Sequence, residues 1–495
     1  MKKMLYQLLV IVCLFMLASC GAYDFDPTNS QKDLNEFDNI GEEYLEIREN
    51  PFVSVEERPD SYFSMDTSTA SYSNLRRMIN QKIRQIPKNS VKIEEMINYF
   101  SYDFTAPTED ALKISAQIID APWNGENKLL TIGVKAKDID LENKKPSNIV
   151  LLLDTSGSMS YPDKLPLLQS AFKLFVETLD KDDTISIVTY ASSDKVLLNG
   201  AKGFEKTKIM GIIEDLAASG STAGAKGIQT AYQIAKENFI PNGHNRVILG
   251  TDGDFNVGIS SNEALKEFIS EKRDEEKIYL SVLGFGYGNI KDSKLETLAN
   301  AGNGTHAYID SITEAKKVLV EEIGGSLNIV SKDTKVKVSF SPNYIKEYRL
   351  IGYENQMLSE DEYHDDKTDA GEIGAGHTTV AIYELVLNDE PEIVEVNSWF
   401  DVEITFKNPE NDEPQIISYF FDDASILSNN SEDIVFIAAV AEFGLILRDS
   451  PYKSEADLSN VISQVENLDC VQDDVYKNEF FELVQKYYNY MRDID

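Results

Sequence analysis

Between residues 148 and 327 apolar runs and amphipathic stretches take turns along the chain. "NIVLLLD", "TISIVTYAS", "NRVILGTD" and "IYLSVLGFG" are β-rich runs with little alternation, as expected of strands covered on both faces. Between them, "DKLPLLQSAFKLFVETL", "TAGAKGIQTAYQIAKENF" and "SNEALKEFISEKRDEE" read as helices. That alternation predicts an α/β fold, a doubly wound, mostly parallel sheet.

The flanks follow another rhythm. "LKISAQIID" and "KLLTIGVKAK" alternate apolar and polar residues around the turn "PWNGEN", which predicts a hairpin. After residue 330 strands return without helices between them: "TKVKVSFS", "IKEYRLIGYE", "HTTVAIYELVL", "FDVEITFK" and "PQIISYFF". A lone hairpin is marginal. We therefore expect strands from both sides to share one β-rich, sandwich-like domain, into which the α/β domain is inserted. Helices close each end. In "SYSNLRRMINQKIRQIP" residues Leu75, Met78, Ile79 and Ile83 fall at helical spacing and Pro87 stops the run, and "VKIEEMINYF" follows. "EDIVFIAAVAEFGLILRDSPY" and "EFFELVQKYYNYMRDI" form a C-terminal helical region. Ile434–Leu447 is short for a membrane span and contains Glu442, so it reads as a buried core helix.

The expected boundaries are a signal peptide at 1–19, an acidic tether at 20–58 and a helical and hairpin flank at 59–145. The α/β domain follows at 146–328, then a β-rich region at 329–425 and a helical region at 426–495.

A length of 495 residues suits about three domains. The formal charge of −37 argues against a nucleic-acid partner, which needs a basic face. It is compatible with metal ions and cationic partners. Lys2 and Lys3 precede an apolar run from Met4 to Ala18, the layout of an export signal. Leu17-Ala18-Ser19-Cys20 resembles a bacterial lipobox, which implies cleavage before Cys20 and acylation of that cysteine. The chain is then expected in the cell envelope, lipid-anchored to a membrane. Gly21 after the cysteine points, by family analogy, to the outer membrane if there is one, and otherwise to the outer face of the plasma membrane. After processing Cys470 is the remaining thiol, so no internal disulfide is expected, and it reads as structural.

Candidate chemistry gathers where strands end. Ligands collect outside the carboxyl ends of strands in an open α/β sheet. "VLLLDTSGSMS" delivers Asp154, Ser156 and Ser158 to that edge, "AASGSTAG" brings Thr222, and "ILGTDGD" brings Asp252. Oxygen ligands without sulfur or imidazole suit hard cations: Mg²⁺, with Mn²⁺ or Ca²⁺ as alternatives. Asp154-Thr-Ser156-Gly-Ser158, Thr222 and Asp252, in this order and spacing, resemble the metal-ion-dependent adhesion site of von Willebrand factor type A (VWA) domains. The resemblance covers about residues 146 to 328. It implies Ser156, Ser158 and Thr222 as direct ligands, with Asp154 and Asp252 direct or through water. The flanks "NPFVSVEERPDSYFSMDTSTASYSNLRRMIN" and "IAAVAEFGLILRDSPY" are similar to those of a group of bacterial VWA-domain lipoproteins.

Other readings carry less. "DGDFNVGISSNE" mimics an EF-hand through Asp252, Asp254, Asn256 and Glu263, but Val257 stands where the loop needs glycine and a strand, not a helix, enters it. Ser156, Asp252 and His306 follow the chain order of a serine-hydrolase triad, but Asp154 replaces the glycine a nucleophile elbow requires. His306 reads instead as a loop residue before a strand. Ser156 also excludes an Asp-x-Asp phosphatase. The sequence thus predicts a binding protein rather than an enzyme: a membrane-anchored module whose metal coordinates a Glu or Asp of a protein partner. A hydrolase using Ser156 and a purely structural envelope scaffold are the alternatives.

Overall fold

The computed structural model describes residues 42–493 except 66–67, 139–144, 222–223, 254–261, 288–290, 390–397 and 423–430. The signal peptide, Cys20, Thr222, Asp254 and Asn256 therefore lie outside the described residues.

The strands before and within the α/β domain are β1 (Val53–Ser54), β2 (Asp60–Ser64), β3 (Leu112–Ala121), β4 (Asn124–Ala136), β5 (Ser147–Asp154), β6 (Thr184–Tyr190), β7 (Asp194–Lys202), β8 (His244–Thr251), β9 (Tyr279–Phe285) and β10 (His306–Ile309). After it come β11 (Ile329–Phe340), β12 (Ile345–Ile351), β13 (Gly371–Gly374), β14 (Thr378–Leu387), β15 (Ser398–Lys407) and β16 (Pro414–Asp422).

The α/β domain is the predicted doubly wound sheet, in the order β10-β9-β8-β5-β6-β7. Its strands are parallel except β7, which runs antiparallel to β6 at the edge. Every residue of β5 and β6 is buried, which is why neither shows alternation. One face packs on the helix Leu165–Thr178 through Leu168, Phe172 and Phe175. The other packs on the helices Gly224–Glu237 and Asn262–Glu276 through Ile228, Tyr232, Leu265 and Ile269.

Strands from both flanks share sheets, as expected. One sheet runs β1-β12-β14-β4-β3, so the hairpin β3–β4 continues into β14 and β12 from beyond the insertion. In the other, β11 pairs with β13 and β15, β15 with β16, and β2 crosses from the N-terminal side to β11. Ile114, Ile132 and Tyr383 from the first sheet meet Val338, Val402 and Ile404 from the second in one sandwich core. The outer face of the first sheet buries Leu129, Val380 and Ile382 under the helices Ala70–Asn80, Ile93–Asn98, Glu432–Arg448 and Val475–Arg492. Terminal helices from opposite ends of the chain thus form one layer.

The helix Glu432–Arg448 is the buried core helix the sequence suggested. Its Glu442 is fully buried and accepts hydrogen bonds from Asn460, Gln464 and the Asp457 backbone. Among the described residues no helix is long and apolar enough to cross a membrane. One expectation needs correction: the tether does not reach residue 58. Glu42 pairs with Arg77, Asn50 bonds to the Leu350 and Gly352 carbonyls, β1 adds to β12 and Val55 is buried. A polar stretch can dock when partners elsewhere take its hydrogen bonds, which local composition does not reveal.

Candidate metal centre

Asp154 is the last residue of β5, and a short 3₁₀ turn, Gly157–Ser160, carries the chain over the sheet edge. The buried apolar strand fixes the carboxylate, while Ser156 and Ser158 sit on the turn with their Oγ atoms 3.0 Å apart. Gly157 lies close against a second loop: its N–H donates to the Gly220 carbonyl at 3.0 Å, and Ser219 N–H donates to the Thr155 carbonyl at 2.8 Å. Asp252 follows β8, beside β5 in the sheet. Asp154, Ser156, Ser158 and Asp252 therefore end at one edge, as predicted.

Asp154 is fully buried. Its Oδ1 accepts the Ser156 N–H at 2.8 Å, and its Oδ2 accepts the hydroxyls of Tyr190 at 3.1 Å and Thr251 at 3.3 Å. Burial pushes its carboxyl up to about 6; Asp252 pushes the same way, and hydrogen bonds from Ser156 and Tyr190 pull it back. All three donors are neutral. A buried acid held by neutral donors, beside two paired hydroxyls and a second carboxylate, fits a hard divalent cation. Among the described residues no three His, Cys, Asp or Glu side chains converge into a metal cage, so hydroxyl oxygens would have to complete the set.

Sequence reasoning missed three contributors. Tyr190 and Thr251 end β6 and β8 with hydroxyls aimed at Asp154, a signal available in the strand-final residues. Lys164 is the third. It precedes the helix Leu165–Thr178, lies buried, and donates from Nζ to Asp252 Oδ2 at 2.8 Å. A lysine at a helix start gives little warning of such a role, because small polar residues are the usual caps.

The hydrolase order is not realised as a triad. His306 is the first residue of β10 rather than a loop residue; it is buried, with Nε2 3.7 Å from Asp292 Oδ1. Strands β9 and β8 separate it from β5 and Ser156.

Three family models match the chain. The model of the von Willebrand factor type A domain matches residues 148–322. A model described as von Willebrand factor matches 38–131, and one described as the C-terminal part of the uncharacterized protein YfbK matches 325–489. The chain is similar to the uncharacterized protein YfbK of Escherichia coli (strain K12), 35% identical over 465 residues, covering 89% of this chain and 80% of that protein. It is also similar to the uncharacterized protein sll0103 of Synechocystis sp., 29% identical over 208 residues, 41% of this chain and 47% of the other. Among solved structures, a von Willebrand factor type A protein from Catenulispora acidiphila aligns over 72% of this chain and 86% of its own, with 17% identity and a TM-score of 0.41.

Proposed function

The chain belongs to the von Willebrand factor type A family, in the group that includes Escherichia coli YfbK, and on that footing we propose that it is a divalent-cation-dependent protein-binding module of the cell envelope. Ser156, Ser158 and Thr222 would hold the ion with Asp154 and Asp252, directly or through water. The ion, Mg²⁺ by preference or Mn²⁺ or Ca²⁺, would supply a hard positive centre for an oxygen anion. The partner would be a protein offering a Glu or Asp side chain on a loop, and acylated Cys20 would hold the module at a membrane.

The observation that carries this reading is Asp154, buried at the end of β5 and held by neutral donors beside Ser156 and Ser158. The residues of the chain do the positioning. Tyr190 and Thr251 from the neighbouring strands orient the carboxylate, and the apolar strands Ile149–Leu153 and Val247–Leu249 keep that edge rigid without help from the ion. Asp154→Ala should therefore abolish Mn²⁺ binding in calorimetry and leave the circular dichroism spectrum native. Capture of a partner from native membranes should fail in the presence of a chelator. Equal Mn²⁺ titration by mutant and wild type would remove Asp154 from the site.

The Lys164–Asp252 pair favours a second reading, a metal-free scaffold whose lysine supplies the positive charge. Partner capture that survives chelation would select it.

A further inference from the structure

We infer that Lys164 sets the ligand specificity of the candidate centre by giving the loaded site a net positive charge that demands an anion; this rests on the metal reading above. The lysine is built in. Its side chain is 7% exposed and its partner Asp252 carboxylate 0%. It runs beneath Gly286, whose φ of +76° is natural to glycine; a Cβ there would stand 2.3 Å from Lys164 Cγ and 2.6 Å from Cε. The ammonium lies 5.6 Å from the centre of the exposed Tyr161 ring and 2.8 Å from Asp252 Oδ2.

The charge count follows. Asp154 and Asp252 bring two negative charges, and Lys164 cancels one. A divalent cation then leaves the centre with one positive charge, held among charged side chains that are themselves buried. Without the lysine the two carboxylates would neutralise the cation completely, and a water would serve as well as a carboxylate in the remaining position. With it, a single carboxylate from outside brings the site to neutrality. Charges in a buried site interact far more strongly than in water. Lys164 therefore weakens binding of the bare ion and strengthens its coupling to an anionic ligand.

The test is calorimetric titration of Mn²⁺ alone into the detergent-solubilised full chain at pH 8, with and without sodium acetate or neutral acetamide. The wild type should bind Mn²⁺ weakly, gain about tenfold in affinity with acetate and gain nothing with acetamide. Lys164→Gln keeps a donor for Asp252 but removes the charge. It should bind Mn²⁺ about tenfold or more tighter without acetate and lose most of the acetate gain. Lys164→Arg should behave as wild type, which a purely structural role would not require. Lys164→Met, which keeps an apolar stem, is the second neutral variant should the glutamine fail to fold. Neutral variants that bind Mn²⁺ no tighter than wild type, or that keep the full acetate gain, overturn the inference and leave the metal site standing. If wild type and Asp154→Ala alike bind no Mn²⁺, the metal reading itself falls and takes this inference with it.

Discussion

Glu94 gives a sharp test of how the terminal helices are held to the sandwich. It lies in the helix Ile93–Asn98 and is 9% exposed, and its Oε2 accepts no hydrogen bond. The carboxylate rests against Gly352 so closely that a Cβ there would stand 2.6 Å from Oε2. Burial pushes the carboxyl from an ordinary 4.5 up to about 8; Glu354 and Glu95 add to the rise and Arg448 opposes it. Arg448 is already committed to Glu354 and to the Val91 carbonyl. Between those two pH values the folded chain keeps a proton that the unfolded chain has lost. Stability contributed by this group is therefore full at low pH and falls as pH rises from about 4.5 to about 8. At 1.36 kcal/mol per pH unit the full loss is roughly 5 kcal/mol. Glu94→Gln keeps the shape and removes the titration. Urea unfolding, followed through the fluorescence of Trp123 in the same core, should show the variant gaining on wild type by about 4 kcal/mol between pH 5 and pH 9. A gap that widens by less than about 1 kcal/mol would refute the account of Glu94 as a buried, unsatisfied acid.

Two further outcomes follow from the same structure, and a third from the sequence. Arg76 is 3% exposed and joins Asp310 and Glu314 of the α/β domain to Glu479 of the C-terminal helix; Arg76→Met should cost about 3–5 kcal/mol in chemical denaturation, and a loss under about 1 would show the cluster to be slack. Residues 146–328 expressed alone should give a soluble domain, whereas residues 333–495 alone, without β2, β4 and the N-terminal helices, should unfold non-cooperatively; a cooperative melt of the second fragment would contradict the shared sheets. Cys20→Ser should leave the chain soluble or unprocessed in cell fractionation, and membrane-bound, lipid-labelled mutant protein would end the anchoring proposal.

The α/β domain was legible because its strands are buried on both faces and its candidate ligands are tied to strand ends. The shared sandwich was legible for a different reason: a hairpin and a set of strands each lacked partners. Edge strand β7 escaped notice, since most of Asp194–Lys202 is exposed or half-exposed and its pairing with β6 is broken by irregularities. The helix Ala70–Asn80 was seen as an apolar stripe, yet its residues from Ala70 to Ile79 are all buried, Arg76 and Arg77 among them. Periodicity marks which side is apolar. It cannot show that acids at positions 310, 314 and 479 wait for the arginine on the other side. Lys164 was hidden for the same reason, because its partner lies 88 positions along the chain.

The insertion also sets an order of events for the growing chain. Residues of β4 pair with β14, so Thr131 must wait for Ile382. Contacts this distant in sequence slow folding, because a long loop must close before they form. The inserted domain shortens that wait. Its first strand begins beside Pro146, whose carbonyl accepts from the His244 N–H, and the His244 ring lies 3.1 Å from Asn328 at its far end. Once folded, the insert holds its entry and exit together and brings β4 and β11 within reach of their partners. Until the last helix, Val475–Arg492, has emerged, the first helices have no finished core to join. A chain that must cross a membrane before folding would gain from this late closure: the helices before the insert stay without a core to join while the rest is still being made.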